Sequence, residues 1–134
     1  MEVYGLDVHG EDFGIPTVDY DTRQIFDVIC FFDSLEHFVS FDCLFRLRTA
    51  HVVVSLPARP DYLLDSPERW RHYKPGEHLH HFCRDSLGVL MGKWGLRHKL
   101  ADGFPEDELR GKLHVGGQTY DNIYTAIYSR GEQY

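Results

Sequence analysis

The chain has 134 residues, with 14 basic and 21 acidic side chains and a formal charge of −7 when histidine is neutral. One domain, residues 1–134, is what this length holds, and 43% hydrophobic with 26% charged residues excludes wholesale disorder. The acidic balance supplies no phosphate-neutralising field, which argues against nucleic acid or an anionic membrane surface as a partner. Cys30, Cys43 and Cys83 form no CxxC pair, which fits a reducing compartment. No run approaches the roughly 20 apolar residues of a membrane helix. Met1–Asp7 lacks the positive n-region of a signal peptide. A soluble, cytoplasmic protein is expected.

Short apolar runs alternate with helical patterns, the rhythm of an α/β sheet. Val3–Val8 reads as a strand and Pro16–Tyr20 as a weaker one. Asp27–Phe32 (DVICFF) is a continuous β-branched and aromatic run, the pattern of a strand buried on both faces. Phe41, Leu44 and Phe45 fall at i, i+3 and i+4, with Ser40 placed as an N-cap, and predict a helix. His51–Leu56 (HVVVSL) is a second buried strand, ended by Pro57. Pro57–Phe82 is a long connection without clear periodicity, a length usual for functional or mobile segments. Leu87, Leu90, Met91 and Trp94 then form a helical stripe that reads as core, with Gly95 at the C′ position. Leu96–Ala101 reads as a strand and Asp102–Gln118 as a polar, glycine-bearing connection. Asn122–Ser129 (NIYTAIYS) closes the chain as a long strand with apolar groups on both faces.

Three places carry chemistry. Gly5-Leu6-Asp7 puts a carboxylate at the carboxyl end of a strand, where open α/β sheets bind ligands and an acid accepts hydrogen bonds from ribose hydroxyls. A plain turn former is the alternative. Phe32–His37 follows a buried strand at the same edge and offers a carboxylate, a hydroxyl, a second carboxylate and an imidazole. The bland alternative is that Asp33 or Ser34 caps the next helix and His37 packs nearby. Trp70–Phe82 holds four histidines and a glutamate, residue types that ligate zinc, iron or copper. His78-x-His80 beside Glu77 resembles the first metal motif of the cupins, but that motif continues into a strand. Here a helix start follows at Cys83–Ser86, so the histidines of His72–His81 are expected to bind no structural metal.

Together these pieces resemble the later part of class I S-adenosylmethionine-dependent methyltransferases, close to their small-molecule branch. The matching segments are GLDV (Gly5–Val8), FDVICFFDSLEHF (Phe26–Phe38), VVVSLPARPD (Val52–Asp61), HYKPGEHLHHFCRDSL (His72–Leu87) and VLMGKWGLR (Val89–Arg97). The resemblance implies a Rossmann-like α/β sheet, mostly parallel with Asn122–Ser129 as an antiparallel last strand, reduced at its N-terminal side. It implies that Asp7 holds the cofactor ribose, that Asp19 or Asp21 lies near the adenine, and that Phe32 and Asp33 line the methionine end. His37 then lies beside the substrate mouth. The loop His72–Phe82 leads over the active site, which makes His78 and His80 candidate catalytic groups on the substrate side. The implied activity is methyl transfer from S-adenosylmethionine to a small-molecule or sugar-like acceptor. Such an enzyme aligns donor and nucleophile and excludes water, and a histidine base helps where the acceptor is a hydroxyl.

The resemblance begins at the family's second strand. The family's first strand and glycine-rich loop have no room upstream of Asp7; Gly10 and Gly14 precede no helix, and Gly116-Gly117 precede a strand. A gap beside Asp27–Phe32 leaves backbone groups unpaired at roughly 1–3 kcal/mol each. The expectation is therefore that Val3–Val8 slides across to pair with Asp27–Phe32, setting Asp7 beside Phe32 and Asp33 and leaving S-adenosylmethionine binding weak or absent. A second chain, as homodimer partner or complementing chain, is the other repair. The alternative function is a non-catalytic binding or assembly module that keeps the fold without a complete cofactor site, with a cupin-like metal protein third.

Overall fold

The computed structural model describes residues 1–6, 14–60, 66–101, 104–115 and 117–131. Its elements in chain order are β1 (Ile25–Phe32), β2 (Arg48–Pro57), α1 (Arg84–Lys93), β3 (Arg97–Leu100), α2 (Pro105–Leu109), β4 (Lys112–Val115), β5 (Gln118–Asp121) and β6 (Ile123–Ser129). The branched and aromatic runs predicted at Asp27–Phe32 and His51–Leu56 become β1 and β2. They pair in parallel, Ile29 opposite Val52 and Phe31 opposite Val54. β6 inserts between β2 and β3 and runs antiparallel to both, giving the order β1-β2-β6-β3. The first three strands of that sheet therefore share one direction and the last opposes them, the mostly parallel α/β sheet with an antiparallel last strand that the resemblance implied.

The stripe on α1 packs as read: Leu87 and Met91 are wholly buried, with Leu90 and Trp94 nearly so, against Ile29, Phe31, Val52 and Val54. Each such side chain contributes roughly 1.5–3 kcal/mol by leaving water. The Trp94 indole N–H donates to the Leu47 carbonyl at 3.1 Å, tying α1 to the start of β2. Gly95 has φ +81°, the left-handed C′ conformation a side chain resists.

Four expectations are corrected. The helix over Phe41–Phe45 is only a 3-10 turn, Leu44–Arg46, preceded by Cys43 instead of Ser40. The Ser40 hydroxyl accepts from the Asp42 N–H at 3.3 Å, which closes a local turn before a helix can nucleate. Leu44 and Leu47 still reach the core because i, i+3 spacing suits a 3-10 turn as well. Next, β1 is buried on one face only: Ile29 and Phe31 are covered, whereas Val28, Cys30 and Phe32 are exposed. The polar connection after β3 contains α2 and the hairpin β4–β5, in which Val115 pairs with Gln118 and Gly117 has φ +79°.

The fourth correction concerns the N-terminus. Val3–Leu6 does not slide across to β1. Gly5 instead bridges to Thr17, with Gly5 N–H donating to Pro16 O at 2.8 Å and Val18 N–H to Gly5 O at 2.9 Å. Pairing with a segment so near in sequence closes a shorter loop than reaching β1. Asp7 and Val8 lie outside the described residues. Among the described residues the second edge of β1 has no strand partner, and on this strand Ile25, Val28 and Phe32 are 62%, 46% and 61% exposed. No helix among the described residues is long and apolar enough to cross a membrane.

Candidate functional site

The carboxyl end of β1 is where the predicted chemistry gathers. The Asp33 N–H donates to Ser55 O at 2.8 Å, and Asp33 then turns with φ +47°, left-handed geometry that Asp tolerates better than most residues. The chain continues into a 3-10 turn, Leu35–His37, which buries Leu35 and Glu36 and leaves His37 exposed. Glu36 is 3% exposed, and among the described residues no side chain hydrogen-bonds either carboxylate oxygen. Burial pushes the Glu36 carboxyl above its ordinary range. The negative Asp33 adds to this, while the Glu36 backbone, His37 and His78 pull the other way.

The histidine-rich segment is clamped onto that turn by main-chain bonds. Around Gly76, at φ +81°, the N–H groups of Glu77 and His78 both donate to Lys74 O. The N–H groups of Leu79 and His80 then donate to Glu36 O at 2.8 and 3.1 Å. His37 Nδ1 lies 2.8 Å from the Glu77 carbonyl, and His78 Nδ1 lies 2.7 Å from the His72 carbonyl. A carbonyl only accepts, so both rings carry a proton on Nδ1, and a neutral ring then holds its lone pair on Nε2. His37 Nε2 sits 3.9 Å from Glu36 Oε1, and the two imidazole centroids are 4.7 Å apart. One ligand atom from each of Glu36, His37 and His78 lies within 4.8 Å of the others.

Of the sequence-predicted groups, His37 and His78 are thus brought together, joined by Glu36, which the sequence reading had noted but not counted as a site residue. His80 stands apart from this trio. Its Nε2 donates to Phe38 O at 2.8 Å, and its ring lies 4.5 Å from that of Phe41 and 6.0 Å from that of Phe82. Phe32 presents an exposed ring at the end of β1. The Asp33 carboxylate accepts from Arg110 at 2.5 Å. Arg110 is itself steadied through its carbonyl, which accepts from Asn122 Nδ2 at 3.0 Å, while Asn122 Oδ1 accepts from His72 Nε2 at 2.6 Å. Burial lowers the basicity of the His72 ring, against the opposing bond to Asn122. Asp19 is exposed, its carbonyl closing a turn with the Thr22 N–H; its neighbour Tyr20 meets the ring of Phe38 edge-on at 6.3 Å. Asp21 pairs with Arg46 at 3.2 Å. Asp7 is outside the described residues. Two open clefts of about 510 and 640 Å³ flank Arg84 and Asp85 of α1, and neither is lined by the Glu36 trio.

No protein-family model and no curated protein sequence matches the chain. Among solved structures it is similar to magnesium protoporphyrin IX methyltransferase (ChlM) from Synechocystis PCC 6803 with bound SAH, at TM-score 0.53 and 15% identity over 97% of this chain and 64% of that one. The same enzyme with bound SAM gives TM-score 0.48 and 13% identity over 97% and 60%. The chain therefore spans less than two thirds of the length of that relative, and the likeness is one of fold.

Proposed function

From the fold of the class I S-adenosylmethionine-dependent methyltransferases, we propose that this chain is the later part of such an enzyme, transferring a methyl group to a small-molecule or sugar-like acceptor. The observation that carries the reading is the convergence of left-handed Asp33, exposed Phe32 and the His37–His78 pair at the carboxyl end of β1. In this reading Phe32 lies along the methionine end of the cofactor and Asp33 takes its ammonium group, sharing its carboxylate with Arg110. The described residues fit that end alone: the ribose acid Asp7 lies outside them, and no glycine-rich turn stands beside β1 among them. When bound, S-adenosylmethionine supplies a methyl already activated on a sulfonium. The protein's part is to align the acceptor and keep water out, and His37, whose ring is partly exposed, accepts a proton from an acceptor hydroxyl.

The open edge of β1 favours a second reading, a non-catalytic module whose exposed Ile25, Val28 and Phe32 are covered by a second copy or a complementing chain. Calorimetric titration of the chain with S-adenosylmethionine separates the two. Saturable binding in the millimolar range, lost in Asp33→Lys, is expected for the methyltransferase reading. Absence of any heat, with sedimentation showing a dimer that Val28→Lys dissociates, would replace it with the module.

A further inference from the structure

We propose that Glu36, His37 and His78 form a binding site for a divalent transition-metal ion, zinc in the first instance. Two imidazole nitrogens and one carboxylate oxygen make a borderline donor set that suits zinc and leaves a fourth position for water or another oxygen donor. Three independent features of the structure point to a cation here.

The first is the orphaned acid. Among the described residues no side chain stands close enough to hydrogen-bond either oxygen of this carboxylate, which is 3% exposed and costly to bury. A cation between Glu36 and the two rings removes that cost. The second is ring orientation. Metal-bound histidines commonly donate their other N–H to a carbonyl or carboxylate, which fixes the tautomer and aims the lone pair. Both rings here do so, His37 to Glu77 O and His78 to His72 O, and among the described residues neither Nε2 is hydrogen-bonded. The third is that the spacing is held by backbone. Leu79 and His80 N–H groups on Glu36 O lock the two ligand-bearing segments together, although they lie some 40 residues apart in the chain.

The distances ask for only a small adjustment. Ligand atoms within 4.8 Å of one another must draw in to about 3.4 Å for a tetrahedral ion with bonds of about 2.1 Å. Rotation of the Glu36 carboxylate about its terminal torsion, which is broad and soft, moves its oxygens through that range. Exposed His37 gives the ion a route in. The sequence expectation of no metal concerned a set drawn from His72–His81; this site takes one ligand from there and two from the turn after β1. It does not rest on methyl transfer: His37 Nε2 is a ligand while the ion is bound and free to take a proton only without it, and metal binding is read without turnover.

The test is titration of zinc alone into the chelator-treated full chain, by calorimetry with a competing chromophoric chelator. One ion per chain is expected. Glu36→Gln and His37→Asn, the latter keeping a donor for Glu77 O, should each weaken binding by more than the roughly 10–100-fold that loss of an outer-shell partner costs. His98→Asn, on an exposed ring of β3, should leave the affinity unchanged. Cobalt in place of zinc should give visible ligand-field bands in the native chain and none in Glu36→Gln. Circular dichroism of the metal-free variants checks folding, and His37→Asn, changing an exposed ring, carries the comparison if Glu36→Gln unfolds. Absence of stoichiometric zinc, or native affinity in a folded Glu36→Gln or His37→Asn, would overturn the proposal.

Discussion

Replacing Asp33 tests the backbone geometry on which the site is built. Three substitutions separate the conformation of this residue from its charge. Asp33→Ala forces a Cβ-bearing residue without a polar side chain into φ +47°, at roughly 1–2 kcal/mol. Asp33→Gly removes that strain but adds about 0.4–1 kcal/mol of unfolded-chain entropy, so Gly should exceed Ala in stability by roughly 0.5–1 kcal/mol. Asp33→Asn keeps the tolerance of the left-handed region and loses the contact to Arg110. With side-chain exposures of 44% and 31%, that half-exposed pair is worth at most about 0.2–1 kcal/mol. For a chain of 134 residues, 1 kcal/mol corresponds to about 3–4 °C in Tm. Urea unfolding followed by circular dichroism should rank the variants native, then Asn and Gly, then Ala, with unchanged m values. Ala as stable as Gly would show that Asp33 is not held left-handed, and the reasoning about the end of β1 would fail.

Leu87→Ala, at a wholly buried position of the α1 stripe, should cost about 2–5 kcal/mol in the same assay, and a loss below about 1 kcal/mol would contradict the packing. Burial pushes the Cys83 thiol up, but hydrogen bonds from Ser86, Asp85 and Arg59 outweigh it and leave the thiol below its ordinary range, whereas desolvation by its neighbours, with nothing to offset it, raises the Cys30 thiol even though that residue is exposed. Iodoacetamide at neutral pH should therefore label Cys83 before Cys30 by peptide mass spectrometry, and the reverse order would refute the assignment. The hydrogen bond from Lys112 holds the Asp121 carboxyl below the ordinary value of 3.8, against burial and with Arg84 assisting. Its contribution to stability is then full above that value and fades as pH falls through the lower folded-state value. Asp121→Asn should flatten the acid limb of stability below the ordinary carboxylate value of 3.8, and an unchanged limb would count against the pairing.

The parts of this fold legible in the sequence are those written in local pattern. β-branched runs gave away β1 and β2, and the spacing Leu87, Leu90, Met91, Trp94 with Gly95 gave away α1. What escaped was decided by competition or by distance. Ser40 turns the chain locally before a helix can form, the hairpin β4–β5 joins strands of only four residues each, too short to stand out, and Gly5 finds Thr17 instead of β1. The candidate site divides the same way. His37 and His78 stood out as residue types, but their meeting depends on the N–H groups of Leu79 and His80 reaching Glu36 O, which no local spacing reveals. The sequence offers Glu36 only as a second carboxylate beside Asp33; glutamate is rarely buried, and its burial follows from its place in the Leu-Glu-His turn directly after β1.

The central claim is that ligand chemistry gathers at the carboxyl end of β1. An amide-resolved NMR titration of the chain with S-adenosylhomocysteine tests it most directly. The account predicts progressive, saturable shifts concentrated at Phe32, Asp33, Ser34 and His37. Shifts confined to Ala58, Arg59 and Cys83–Asp85 around the cleft beside α1, or none at millimolar ligand, would contradict it.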